Sequence, residues 1–159
     1  MSIRLEVIQG DALDFPAEVL ALKFAQQLHG VDRKVVDRLE DNGVRVKSRL
    51  PAIGTALLVN SEGAVAAKEV LFMGVPPFGR FDYEAIRKFA HASLARLGEE
   101  RPSLQHLAMK LHGLRFGLDE AEAFRAEIAG VLDAVAKRQR PLELIRISIV
   151  LRDAQAAKR

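Results

Sequence analysis

Apolar positions recur at two spacings along the chain, and the changes between those spacings mark out its elements. Ile3, Leu5 and Val7 alternate with Arg4 and Glu6, the two-residue period of a strand running from Ile3 to Ile8, and Gly10-Asp11 breaks it with a turn. Val19-Leu20-Ala21-Leu22-Lys23-Phe24-Ala25 is a short apolar run bounded by Pro16 and Gly30, and it reads as a buried strand, although periodicity alone also accommodates a helix. From Asp32 to Glu40, Val35, Val36 and Leu39 share one helical face with charges opposite, and Asn42-Gly43 supplies the stop. Gly54 to Val59 and Glu69 to Val75 read as two strands joined by a turn containing Gly63, and Pro76-Pro77 ends the second. Asp82 to Leu97 is helical in period, with Ile86, Phe89, Ala90, Leu94 and Leu97 inward and Asp82 as N-cap. Leu104 to Leu111 is a further strand. Asp119 to Ala136 gives the longest helix, with Ala121, Phe124, Ile128, Val131, Leu132 and Val135 expected on its core side. Leu144, Ile145, Ile147, Ile149 and Val150 form the last strand.

Strands and helices therefore alternate after an opening pair of strands. That order calls for crossover connections, some parallel pairing and helices on both faces of the sheet. The expected fold class is α/β, a three-layer α/β/α arrangement around a central mixed sheet of about six strands. At 159 residues the chain suits one domain, expected over 1–151, with a basic tail at 152–159 that reads as the start of a linker.

Composition narrows the chemistry. There is no cysteine, which removes disulfides, thiolate zinc sites, iron–sulfur clusters and cysteine nucleophiles. The four histidines, His29, His91, His106 and His112, form no His-x-His pair and no His-Glu-x-x-His stretch, so no metal is expected. The nucleophile elbow, the P-loop and the dinucleotide-binding glycine pattern are absent, leaving no catalytic residue and no cofactor to name. No apolar run approaches the ~18–20 residues that span a bilayer, and the first residues show no basic region followed by an apolar stretch, so no membrane partner and a cytoplasmic location are expected. The net charge is +3, much of the excess lying between Lys137 and Arg159. Such a basic end can hold phosphate, nucleic acid or an acidic partner, and more simply is a solvated surface. Without aromatics interleaved among the basic residues along a groove, a nucleic-acid role is not expected.

Several segments in order carry a resemblance. They are the opening strand with Gln9-Gly10-Asp11-Ala12-Leu13, the stretch Ile53-Gly54-Thr55-Ala56-Leu57-Leu58-Val59 with its Gly63 turn and Val70-Leu71-Phe72-Met73-Gly74-Val75-Pro76, and Pro102-Ser103-Leu104 through His112-Gly113-Leu114-Arg115-Phe116-Gly117-Leu118-Asp119-Glu120-Ala121. Together they resemble the macro domain, the ADP-ribose-binding module, over nearly the whole chain. A related architecture is the non-catalytic N-terminal domain of leucine aminopeptidases. The resemblance implies a ligand site made of Asp11 and Ala12 after the first strand, Gly30 and Val31 in a first phosphate loop, and Gly113, Leu114, Arg115, Phe116 and Gly117 in a second. Asp11 would accept a hydrogen bond from an adenine amino group, glycine-bounded loops with free amides would cradle a diphosphate, and Phe116 would lie against the distal ribose. Each residue also has a plainer role: Asp11 as a turn cap, Gly30 as a loop or N-cap glycine, Arg115 as a solvated cation.

The sequence departs from the family pattern as well. Where the family has Asn-Ala-Ala-Asn after the second strand, this chain has Leu22-Lys23-Phe24-Ala25, with Gln26 or Gln27 as nearby substitutes, and the first loop keeps one glycine preceded by His29. The expected function is thus a non-enzymatic macro-like module that binds or senses a nucleotide-derived ligand of the ADP-ribose/NAD type through a reduced pocket, without ADP-ribosyl hydrolase activity. The alternative is a structural or oligomerisation domain like that of the aminopeptidases. Expected partners are the small molecule itself and either a homo-oligomer or further domains of a longer protein.

Overall fold

A computed structural model describes residues 2–77, 79–111 and 118–151. Its elements follow the order β1 (Arg4–Gln9), β2 (Val19–Phe24), α1 (Gly30–Asp41), β3 (Ala56–Asn60), β4 (Glu69–Gly74), α2 (Tyr83–Glu100), β5 (His106–Lys110), α3 (Glu120–Ala136) and β6 (Arg146–Leu151), with one 3-10 turn at Lys47–Arg49. Six strands form a single sheet in the order β1-β6-β5-β2-β4-β3. All neighbours are parallel except β3, which returns antiparallel on β4. The sheet is mixed and six-stranded, as the alternation of elements predicts.

The sequence of each strand matches its place in that order. β2 lies between β4 and β5 with both faces covered, so five of its six residues are buried and its apolar run has no alternation. β1 is an edge strand and keeps the alternating pattern. Side chains of β2 separate the core into two layers. Leu20 and Leu22 point toward α1 with Val70, Phe72, Val35, Val36 and Leu39, while Val19 and Ala21 point toward α2 and α3 with Leu71, Ile86, Phe89, Leu107 and Ile147. Asp82 caps α2 by accepting from the Ala85 amide at 2.9 Å, and Asp119 caps α3 by accepting from the Glu122 amide at 3.0 Å.

Gly74 ends β4 because nothing larger fits. A Cβ there would stand 2.0 Å from the Ala52 carbonyl oxygen, so the chain after the 3-10 turn crosses directly over it.

One expectation is corrected. Of the α3 residues expected inward, Val131 is buried and Phe124 and Ile128 pack half-buried against the core, but Ala121, Leu132 and Val135 are exposed, and Ala123, Glu127, Gly130 and Ala134 take the remaining buried positions. The cause is the contact with α2. Gly130 lies against the Arg87 carbonyl and the Ala90 side chain, so the helix turns its small residues toward its neighbour. Close approach of two backbones wins over burial of the larger side chains.

Candidate functional site

Because β1, β6, β5, β2 and β4 run the same way, their carboxyl ends share one edge of the sheet. The chain leaves β2 into α1 on one face, and leaves β4 into α2 on the other before returning as β5 on the far side of β2. β2 is thus the topological switch point, and the crevice beyond its carboxyl end is where open α/β sheets take ligands.

Two residues that the pattern did not single out meet there. Lys23 on β2 donates to Oδ2 of Asp32 in the first turn of α1 at 2.7 Å, and both side chains are almost fully buried. The Lys23 ammonium also stands 5.9 Å from the centre of the Phe81 ring, which gives it a second favourable contact. Burial raises the Asp32 carboxyl above the ordinary aspartate range. The charge and hydrogen bond of Lys23 oppose that shift, as do the charges of Lys110 and His29. Oδ1 of Asp32 is buried with no hydrogen-bond partner among the described residues. The signal is present in the sequence: a lysine inside a fully apolar run must find a counter-charge, and an aspartate opening an amphipathic helix is a ready one.

The residues named from the sequence divide into three groups. Asp11 is exposed, and its Oδ1 accepts from the Leu13 amide at 3.0 Å, closing an Asx turn. Ala12 is buried in the core layer that contains Leu22 and Val35, and this draws the turn after β1 toward α1. Gly30 opens α1 at φ 49°, a left-handed conformation that favours glycine. Gly30 and Val31 are half-buried at a helix start that has no side-chain cap. The positive end of the α1 dipole therefore points into the crevice. Gly113, Leu114, Arg115, Phe116 and Gly117, and His112 before them, lie outside the described residues; their segment follows the carboxyl end of β5, the strand beside β2.

The two glutamines have different fates. Gln26 sits at φ 66°, and its side-chain nitrogen donates to the carbonyls of Phe24, Pro51 and Val75, each at 3.3 Å. It ties the ends of β2 and β4 to the segment before β3. Gln27 is exposed. Among the described residues, no group of three His, Asp or Glu side chains could hold a metal ion, and no helix is long and apolar enough to cross a membrane. A shallow cleft of about 360 Å³ at the opposite edge is lined by Glu18, Lys68, Glu69 and Arg101. Its polar groups serve the fold: Arg101 grips Glu69 with two hydrogen bonds, and Glu18 accepts from the Gln105 and His106 amides.

No family model and no curated protein matches the chain in sequence. Solved structures match it in shape. The macrodomain of Oceanobacillus iheyensis with ADP superimposes at a TM-score of 0.69 and 14% identity, covering 97% of this chain and 86% of the other. The macrodomain of Thermus aquaticus DarG gives 0.66 and 15%, covering 93% and 98%. A Trypanosoma brucei macrodomain gives 0.73 and 14%, covering 94% and 62%. Sheet order, the helix on one face against two on the other, and these superpositions agree: the chain has a macro-domain-like fold.

Proposed function

We propose that this protein is a non-enzymatic macro-type module that binds a nucleotide-derived ligand of the ADP-ribose/NAD class through an altered pocket. The observation that carries the reading is the buried Lys23–Asp32 pair at the carboxyl end of the switch-point strand, whose Oδ1 has no donor among the described residues. A buried carboxylate oxygen without a donor is costly, and a ligand hydroxyl or amine at this edge would satisfy it. The uncapped start of α1 suits a phosphate at the same place. Two strands stand between β1 and β2, so Asp11 lies roughly 14 Å across the edge from Lys23, a span that favours an extended, two-ended ligand. Structures of the O. iheyensis macrodomain were solved with ADP and, for a mutant of that protein, with ADPR, which is consistent with this class.

The non-enzymatic reading is supported by how the polar groups are used. The Gln26 amide nitrogen is committed to three carbonyls, and Asp32 is held by Lys23. Gln26 is an amide and no base, Asp32 is not left as a mobile one, and Ala25 brings no polar side chain.

Titration calorimetry and thermal unfolding with ADP-ribose, NAD and ADP test the reading. Binding should raise the unfolding temperature, by about 2.7 kcal/mol of stability at a hundredfold excess over Kd. Incubation with an ADP-ribosylated protein should release nothing. Asp11→Asn keeps the turn cap but removes the charge, and should weaken binding by about 1–2 kcal/mol. Absence of any shift with all three nucleotides at millimolar concentration overturns the proposal.

A further inference from the structure

Seven large apolar side chains are exposed among the described residues, and six of them, Leu5, Val7, Leu132, Val135, Leu142 and Ile145, belong to β1, α3 and the segment between α3 and the end of β6. Scattered exposed leucines need no explanation, but exposed apolar side chains on an edge strand do. Among the described residues β1 pairs only with β6, which leaves its other side an open strand edge. Leu5 and Val7 sit in register with Ile147 and Ile149, which face α3, so their side chains emerge on the α3 side. They are 39% and 47% exposed, where edge strands are usually protected by charge, proline or a bulge. α2 holds one flank of α3 through Gly130 and the Arg87–Asp133 ion pair, which leaves Leu132, 61% exposed, on the flank away from α2.

The geometry points to a second copy of this chain as the occupant, joined by antiparallel β1–β1 pairing about a twofold axis at Leu5. Self-pairing is isologous, so the strand must be complementary to itself. Arg4 and Gly10 donate their amides to the β6-side carbonyls of Ile145 and Leu151. By the alternation of a parallel ladder, the amides of Leu5 and Val7 point outward and are available to a new strand. With Leu5 on the axis, Leu5 meets its symmetry mate, Ile3 meets Val7, and Arg4 meets Glu6 twice. Glu6 is a prepared acceptor: Ser148 Oγ and Arg146 Nε hold its Oε2 at 2.6 and 2.7 Å, while among the described residues Oε1 has a single contact, with Arg4 at 3.6 Å. The Arg4 side chain is 76% exposed, and its 3.6 Å contact with Glu6 is too long to fix it in place. Moving the axis to Glu6 would instead set two glutamates opposite each other, which is unfavourable. The resulting dimer joins two six-stranded sheets edge to edge. Both α3 helices lie on the same face, and their Leu132 and Val135 flanks are turned toward the junction. It leaves the carboxyl-end crevice of each copy open, so it stands independently of the ligand reading.

Sedimentation velocity and light scattering on the chain, without nucleotide, provide the test. A species of twice the chain mass should form at micromolar concentration. Leu5→Lys and Arg4→Glu should each weaken it roughly tenfold or more, with unchanged far-ultraviolet circular dichroism because both side chains are substantially exposed. The chain has no cysteine, so Leu5→Cys introduces one thiol per copy. A hydrogen-bonded antiparallel pair separates Cα atoms by about 5.5 Å, so a short thiol-reactive bifunctional cross-linker should join the copies covalently. Gln9→Cys, far from the axis, should not link. A monomer at all concentrations, a dimer indifferent to Leu5→Lys, or failure of Leu5→Cys to cross-link overturns the proposal.

Discussion

The Lys23 ammonium and the Asp32 carboxylate lie 2.7 Å apart in a setting from which water is almost wholly excluded, one on the central strand and the other in the first turn of the helix that follows it. A buried ion pair of this kind adds little net stability, because desolvating two charges offsets most of their attraction. Breaking it is another matter. Asp32→Ala removes the carboxylate that faces buried Lys23 and should cost about 3–5 kcal/mol in urea unfolding. Replacing both residues, Lys23→Met with Asp32→Leu, should return stability to within about 1 kcal/mol of the wild type or above it. That double variant should nonetheless lose the nucleotide-induced thermal shift. Recovery of stability without recovery of binding separates the pair's place in the fold from its place in the site. If the double variant is as unstable as Asp32→Ala, the pair is a structural requirement and not an exchangeable one.

Glu6 gives the pH dependence a definite sign. Hydrogen bonds from Ser148 and then Arg146 hold its carboxyl below the ordinary glutamate value of 4.5. The folded protein therefore prefers the ionised form more than the unfolded chain does. The stability this contributes is present above the unfolded-state value and is lost as pH falls through the lower folded-state value. Glu6→Gln should lower stability by about 1 kcal/mol at neutral pH. Its urea midpoint should converge on that of the wild type as the solution is acidified below the glutamate range. A gap that stays constant between neutral and acidic pH would assign the loss to shape and not to charge.

At Gly130 the backbones of α2 and α3 come close together. An added Cβ would stand 2.1 Å from the Arg87 carbonyl oxygen and 2.8 Å from the Ala90 Cβ, and neither belongs to a flexible side-chain end. In an exposed helix, glycine to alanine gains about 1 kcal/mol of helix propensity. Here the helices must part, and Gly130→Ala should instead destabilise by about 1–3 kcal/mol. Thermal unfolding should register this as a fall of roughly 2–4 °C per kcal/mol. A stabilised variant would mean that the two helices can separate at little cost.

The fold is legible because its strongest signals are local. Alternation over Ile3 to Ile8, the unbroken apolar run of β2 and the Asp82 cap each depend on neighbours in sequence, and each element lies within a few residues of its expected place. The 3-10 turn at Lys47–Arg49 carries no periodic signal and is not legible. The candidate site is harder to read because its chemistry comes from pairing across elements. Resemblance directs attention to Asp11 and to glycines, yet Asp11 serves its own turn through Leu13, and Ala12 serves the core. Lys23 reads in sequence as part of an apolar strand end, although its charge obliges a partner and Asp32 stands nine positions on. Gln26 looks like a substitute ligand residue, and it binds three carbonyls that only the folded backbone brings together.

The orientation of α3 shows the same limit in a form that can be measured. Period alone favours placing Phe124, Ile128, Leu132 and Val135 inward, because they are large and share a stripe. Packing against α2 selects the neighbouring stripe of Ala123, Gly130 and Ala134, and of the expected inward residues Val131 is the one that reaches full burial. Adjacent residues should therefore respond oppositely to truncation. Val131→Ala removes two buried methyl groups and should cost about 2 kcal/mol. Leu132→Ala removes more carbon from a surface position and should stay within about 0.5 kcal/mol. Both are best measured in the Leu5→Lys background, where self-association no longer adds to the stability of either. Equal losses at the two positions would return Leu132 to the core and rotate α3 away from the arrangement that Gly130 and Arg87 define.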